Sequence, residues 1–275
     1  MSQTITFIGG GNMATSLIAG LISNSYPADK IHVADPEQVK CDALNAQFGV
    51  KTFTDNQQAI ADADIIVLAV KPQVMQTVCK TLVTSVQTTR PLVISIAAGL
   101  LSNDISRWLG GDVSMVRCMP NTPSLLNAGA TGLFANDKVS SEQKQQADQI
   151  LSTAGITVWV DSENLLDAVT AVSGSGPAYY FLFMEAMQEA AIKLGLNKDQ
   201  AQQLTLQTAL GAARMAVESD DDASILRAKV TSKGGTTEQA INTFETKQLR
   251  DIVMQAMQAA NDKAIELADI LGKDE

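Results

Sequence analysis

A short apolar run, Ile5-Thr6-Phe7-Ile8, meets Gly9-Gly10-Gly11-Asn12-Met13-Ala14 and then a helical stretch from Thr15 to Ile22. The order is strand, tight glycine turn, helix, and it constrains the fold more than any other stretch. The spacing is G-x-G-x-x-A: Gly9 makes the turn, Gly11 lets backbone approach a pyrophosphate, and Ala14 permits close packing of helix on strand. Free N–H groups at the helix start would hold the phosphates. A lone glycine pattern can also be an ordinary turn, so the next strand decides between the two. Lys30-Ile31-His32-Val33-Ala34 supplies that strand and ends at Asp35, where a Rossmann fold places the residue that meets the adenosine ribose.

Length and composition narrow the class further. At 275 residues and 45% hydrophobic content, the chain can build one large or two ordinary domains with a substantial core. Twenty basic against thirty acidic residues leave a net charge of −10, and no local basic patch offsets it. Nucleic acid and anionic membrane surfaces are therefore not expected partners. Cys41, Cys79 and Cys118 are far apart and lack C-x-x-C spacing, so buried thiols are expected and neither disulfides nor a bound metal. Met1 leads into the first strand without a signal pattern, and no run approaches the roughly 20 apolar residues of a membrane helix. A soluble cytoplasmic protein is the expectation.

Along the chain, Pro36 sits at a helix start, with Val39, Ala43, Leu44 and Phe48 as its apolar stripe and Gly49 as its end. Ala63 to Val70 is almost continuously apolar, as in a strand covered on both faces of a parallel sheet, and Lys71-Pro72 stops it. Ala69 to Pro72 either borders a cofactor at the carboxyl end of that strand or is a plain strand-to-helix turn. Pro91 to Ala98 repeats the pattern, and Val113 to Cys118 reads as a fifth strand. Met119-Pro120-Asn121-Thr122-Pro123 is then a rigid loop, suited to orienting a ligand or serving only as a connector. Ala130 to Ala135 and Ile156 to Val160 are further strands around a helix from Ser141 to Ser152, for which Ser140 or Ser141 is the N-cap.

Beyond Asp161 strand-like runs vanish and the helical period takes over to Leu271. The expected fold class is α/β: a Rossmann-type doubly wound sheet over residues 1–161, followed by an all-α domain over residues 162–275 that binds substrate and dimerises. Helices are predicted over residues 164–171, 177–194, 198–218, 223–230, 235–244 and 247–271. Asp220-Asp221-Asp222 reads as a solvated turn with first-turn charge, since no ligand-spaced partners accompany it. Tyr179 to Met184 has no polar face, and Leu249, Val253, Ala256, Ala260, Leu267 and Leu271 recur at helical spacing. About a hundred residues cannot cover such surfaces alone, which points to a second subunit.

The inventory limits the chemistry. The single histidine, His32, falls inside the second strand, so a Ser-His-Asp triad is implausible. Ser173-Gly174-Ser175-Gly176-Pro177 lacks the G-x-S-x-G form and reads as a glycine turn capping the next helix. Chemistry carried by a nicotinamide cofactor fits the residues that remain. A second candidate site is Val230 to Glu238, where Gly234-Gly235-Thr236-Thr237 turns directly into a helix. Hydroxyls and N–H groups converging there suit a small carboxylate, or simply cap the helix.

Gly9 to Ala14, Ala69 to Pro72, Ser95 to Gly99, Met119 to Pro123, Asp167 to Thr170, Ser173 to Pro177 and Ser232 to Thr237 together resemble pyrroline-5-carboxylate reductase, over nearly the whole length. The resemblance implies reduction of 1-pyrroline-5-carboxylate to L-proline with NADPH or NADH, in a homodimer with interlocked C-terminal helices that is often assembled into a decamer. It implies that Ile8, Gly9, Gly10, Gly11, Asn12, Met13, Asp35, Asn56, Ala69, Val70, Lys71, Pro72, Ile96, Ala97 and Ala98 meet the cofactor. Glu163, Ser232, Gly234, Thr236 and Thr237 would meet the substrate, with Thr237 as the catalytic residue. Asn56 and Glu163 are implied by the resemblance alone.

Three positions depart from the family's pattern. Asp35 stands where a residue compatible with a 2′-phosphate is common, Lys233 replaces a usual proline, and Lys229 a frequent asparagine. The main rivals are a β-hydroxyacid dehydrogenase or imine reductase with the same architecture, and a nucleotide sensor without turnover. The former lack a match here for their helix-borne lysine or aspartate, and the latter should have a degenerate Ser232 to Thr237 segment.

Overall fold

The structure, a computed structural model, describes residues 2–273. The first part of the chain alternates strand and helix. It runs β1 (Ile5–Ile8), α1 (Asn12–Ser23), β2 (Ile31–Ala34), α2 (Gln38–Phe48), β3 (Lys51–Phe53), α3 (Asn56–Ala59), β4 (Ile65–Leu68), α4 (Pro72–Thr89), β5 (Leu92–Ser95) and α5 (Ser102–Trp108). Then come β6 (Met115–Met119), β7 (Gly129–Ala135), α6 (Ser141–Leu151) and β8 (Gly155–Trp159). The described residues form an eight-stranded sheet in the order β3-β2-β1-β4-β5-β6-β7-β8. Its neighbours are parallel except for the antiparallel pair β6–β7. The chain leaves β1 toward one edge through β2 and β3 and returns to its other side with β4, which makes the β1/β4 boundary the switch point.

β1, β2, β4 and β5 are buried at every position because helices cover both faces of the sheet. On one face Phe7, Val67 and Ile94 pack with Leu17 and Ile18 of α1 and Ile150 and Leu151 of α6. On the other, Ile8, Leu68 and Val93 pack with Met75, Cys79 and Leu82 of α4 and Ile105 and Trp108 of α5. Each fully buried aliphatic side chain contributes about 1.5–3 kcal/mol, so these two layers fix the rim where the strands end.

After β8 the chain is helical: α7 (Leu165–Val169), α8 (Gly176–Lys193), α9 (Lys198–Glu218), α10 (Ala223–Lys229), α11 (Thr236–Thr246) and α12 (Leu249–Leu271). The described residues divide into two compact units, one comprising the chain up to Ser175 together with the segment from Ala260 onward, the other Gly176–Ala259. Within the first unit, Leu267 and Leu271 of α12 lie against Gly99, which has φ +70 and would carry its Cβ 3.3 Å from both. In the second unit α9 opens with a capping box between Asn197 and Gln200, and Asp222 caps α10 by accepting from the N–H groups of Ser224 and Ile225. Asp221 pairs with Lys229. The acidic run is thus used in local charge and capping contacts.

Several local expectations need correction. α2 starts at Gln38, which puts Cys41, Leu44 and Phe48 against the sheet and leaves Val39 80% exposed and Ala43 exposed. The phase of a helix is set by where it docks, and the Pro36 start signal lies two residues too early. α1 likewise begins at Asn12, three residues before the expected stretch. β3, α3 and α5 have three, four and seven residues, too few to give a periodic signal in the sequence. Ser173 to Pro177 is not a glycine turn. α7 passes into a π-helical turn over Thr170–Gly174 in which Ser175 N–H donates to the Thr170 carbonyl at 2.8 Å, and neither Gly174 nor Gly176 has positive φ. Gly174 is needed for space: a Cβ there would lie 2.7 Å from the Met119 methyl.

Candidate active site

The glycine turn is built as the spacing requires. Gly9 has φ +103, and a Cβ on it would lie 2.6 Å from the Ala69 carbonyl oxygen, so only glycine fits. Its N–H donates to the Ala34 carbonyl at 2.7 Å, while Ala69 N–H donates to Ile8 at 2.8 Å and Ile96 N–H to Leu68 at 3.2 Å. These bonds lock the carboxyl ends of β1, β2, β4 and β5 into one rim. At Gly11 an added Cβ would meet nothing within 4 Å, so the backbone there faces open space. Gly11 is the N-cap of α1, no side chain caps that helix, and its first turn holds no acidic residue. A helix start whose first-turn N–H groups have no side-chain cap, with no acidic residue in that turn, fits a pyrophosphate.

The structure brings Gly9 to Met13, Ala69 to Pro72 and Ile96 to Ala98 to this rim, with Asp35 one residue beyond β2 and Asn56 opening α3 beyond β3. Ile8 is fully buried in the core and its carbonyl is bonded to Ala69, so it fixes the turn from beneath. Asp35 is 5% exposed. One carboxylate oxygen accepts from Gly10 N–H at 2.9 Å and the other from Glu37 N–H at 3.0 Å. Lys40 stands outside it, its ammonium 3.9 Å from Asp35 Oδ1 and 2.5 Å from Glu37 Oε1.

The second segment lies in the other unit. Gly235 N–H closes a tight turn onto the Ser232 carbonyl at 3.0 Å, and Gly234 within it has φ +75. A Cβ on Gly235 would lie 2.6 Å from Ser232 Oγ, so that side chain folds over the glycine. Gly234 N–H donates to Glu238 Oε2 at 2.8 Å. Gly235 is the N-cap of α11 without a side-chain cap, which leaves the N–H groups of Thr236, Thr237 and Glu238 as the orphan donors of the first turn.

Glu163 is held by neighbours within its own unit. Its carboxylate accepts from Ser102 N–H at 2.6 Å, from Ser102 Oγ at 2.7 Å and from Arg117 Nη1 at 3.2 Å. Arg117 is 4% exposed in β6, and Asp167 of α7 completes the cluster. Burial raises the Asp167 carboxyl above the ordinary carboxylate range, Arg117 opposes that rise, and Glu163 adds to it. Asp167 Oδ1 has no hydrogen-bond partner among the described residues. Neither Arg117 nor Ser102 is marked by a sequence motif, and Asp167 is marked only by its place in the Asp167 to Thr170 segment. An arginine inside an otherwise apolar strand was the available signal, because a buried guanidinium requires a buried carboxylate. Asn121, in the proline loop, is engaged by structure: it donates to the Ser173 carbonyl at 3.0 Å and accepts from Ala130 N–H at 2.9 Å. That favours the connector reading of the loop.

His32, the Ser173 hydroxyl and two of the thiols are taken up by the fold. His32 is buried in β2 with Nδ1 3.2 Å from the Ala59 carbonyl, and Ser173 Oγ donates back to Val169 at 3.0 Å. Burial pushes the Cys79 thiol up to about 12 and raises Cys118 as well, so both stay protonated and inert.

Residues 163–267 match the model of the family described as pyrroline-5-carboxylate reductase dimerisation, and residues 4–99 that described as NADP oxidoreductase coenzyme F420-dependent. A pyrroline-5-carboxylate reductase of Pseudomonas aeruginosa is 49% identical, with 98% of each chain covered. Among solved structures, a pyrroline-5-carboxylate reductase from Coxiella burnetii superposes with a TM-score of 0.95 at 48% identity, covering 98% of this chain and 99% of the other. A pyrroline carboxylate reductase from Plasmodium falciparum with NADP bound gives a TM-score of 0.83 at 28% identity, covering 97% of this chain and 98% of that one.

Proposed function

The chain belongs to the pyrroline-5-carboxylate reductase family, which reduces 1-pyrroline-5-carboxylate to L-proline with NAD(P)H at the end of proline biosynthesis, and within that activity we infer which residues do the work. The rim at Gly9 to Met13, Ala69 to Pro72 and Ile96 to Ala98 holds the dinucleotide, with Asp35 and Asn56 toward its adenosine end. The observation that carries this is the uncapped start of α1 behind a Gly9 that admits no side chain. When bound, the nicotinamide supplies the hydride.

The start of α11 takes the substrate carboxylate on the N–H groups of Thr236 and Thr237, with Ser232 and Gly234 shaping the turn. Glu163 acts as a positioning residue, since its carboxylate is committed to Ser102 and Arg117. Thr237 Oγ lies in the same first turn and is assigned to the substrate's ring nitrogen. If that nitrogen enters protonated, hydride addition to the ring carbon of the C=N bond moves the π pair onto nitrogen and yields the amine directly, without a strong enzyme acid. Product-side binding tests the carboxylate assignment. L-Prolinamide should bind about tenfold more weakly than L-proline, the scale of an anion at a partly buried helix N-terminus. Equal affinities by calorimetry would move the carboxylate away from α11.

The protein is an oligomer built through its dimerisation segment. In the single chain α8 leaves Tyr180 70%, Phe181 64% and Leu182 66% exposed, and α12 leaves Met254 67% exposed. Such a surface calls for a partner, and a homodimer, with decamers as a further level, is the assembly this reading assigns. Sedimentation at micromolar concentration should therefore show dimers or multiples of dimers; an active monomer would contradict it. Among the described residues no helix is long and apolar enough to cross a membrane. The three free, buried thiols suit the reducing cytoplasm.

A further inference from the structure

We propose that Lys40 reads the adenosine 2′-phosphate of NADPH and that Glu37 is its internal competitor, so that the two residues together set the preference between NADPH and NADH. The proposal rests on the reading of the β1–β2 rim as the dinucleotide site. In such a rim the residue at the end of the second strand marks where the ribose 2′ position lies. Here that residue is Asp35, and its two carboxylate oxygens already accept backbone N–H groups, Gly10 at 2.9 Å and Glu37 at 3.0 Å. Those bonds brace the glycine turn and hold the carboxylate inward, 7% exposed. Asp35 is thereby a fixed part of the turn, and discrimination falls to the groups around it.

Lys40 is a cation in reach. It projects from the first turn of α2, its side chain 44% exposed, with the ammonium 3.9 Å from Asp35 Oδ1. A phosphate laid over the Asp35 position would therefore come within contact of it. In its present position the ammonium is bound to Glu37 Oε1 at 2.5 Å, and the Glu37 side chain is 64% exposed. An exposed pair of this kind is weak, whereas a phosphate dianion accepts stronger charge-assisted bonds. The turn carries two carboxylates, Asp35 and Glu37, against one ammonium, a local sum of 1 − 2 = −1. A 2′-phosphate meets that excess unless Lys40 leaves Glu37 for it. A 2′-hydroxyl makes no such demand, so NADH binding is indifferent to the exchange.

The test uses the full-length protein and two adenosine fragments without nicotinamide, 2′,5′-ADP and 5′-AMP, with dissociation constants from calorimetry. Lys40→Gln should weaken 2′,5′-ADP about tenfold and leave 5′-AMP within about twofold, and the salt dependence of 2′,5′-ADP binding should flatten. Glu37→Gln should tighten 2′,5′-ADP severalfold with 5′-AMP unchanged. If Lys40→Gln weakens both fragments equally, the lysine only supports the turn and the proposal is wrong. If it weakens neither while the wild type binds both, the proposal falls and the rim assignment stands. If the wild type binds neither fragment, the rim assignment falls with it.

Discussion

Replacing Arg117 by methionine should lower the free energy of unfolding by about 3–5 kcal/mol, the cost of removing one partner from a buried ion pair. The guanidinium is 4% exposed and is the cation that meets Glu163 at 3.2 Å, with Asp167 in the same cluster. Without it Glu163 and Asp167 face each other in a region that disfavours charge. The consequence has a sign that can be checked. Asp167 is already raised by burial, and Arg117 is what restrains the rise. In the variant the folded state should hold protons that the unfolded chain releases. Stability of the variant should therefore increase as pH falls from neutrality toward about pH 4, the ordinary carboxylate range. Urea unfolding at several pH values measures both effects. A loss below about 1 kcal/mol, or a pH profile parallel to the wild type, would show that the cluster tolerates the loss of its cation. Adding Glu163→Gln to the variant should recover part of the loss, because the stranded charge is then removed.

The second large effect is expected at Thr237. Thr237→Ala should reduce kcat/KM by about 1.5–3 kcal/mol of transition-state stabilisation, roughly 10- to 150-fold, the range for a hydrogen bond to a charged group. Thr237→Ser, which keeps the hydroxyl, should retain most of the activity. Thr237 sits at the second position of α11 behind an N-cap with no side chain of its own. Truncating a threonine there removes no cap, so folding should be little changed and the loss should appear in turnover. Binding of NADP+ should be the same in both variants, which separates this site from the nucleotide rim. Steady-state rates with 1-pyrroline-5-carboxylate measure the effect; unchanged kcat/KM in Thr237→Ala would take the residue out of the site.

The sequence by itself determined the parts that rest on neighbours in the chain. The Gly9 turn, the apolar runs that became β4 and β5, the change to helix after Asp161, and α9 at Lys198–Glu218 are all local patterns. Each depends on backbone freedom, period or capping within a few residues, so one stretch carries the whole signal. Features that needed the fold depend on residues far apart. Glu163 meets Arg117 across 46 positions and Ser102 across 61, and nothing near Glu163 marks its carboxylate as a brace. The inward turn of Asp35 is of the same kind, because the Gly10 N–H that holds it arrives from β1. Val39 shows the converse: it fits a helical stripe in sequence, yet it is 80% exposed because docking of α2 through Cys41, Leu44 and Phe48 sets the face. Periodicity says that a helix has an apolar side, whereas packing against the sheet chooses which side it is, and buried charge finds its partner only once the chain has closed around it.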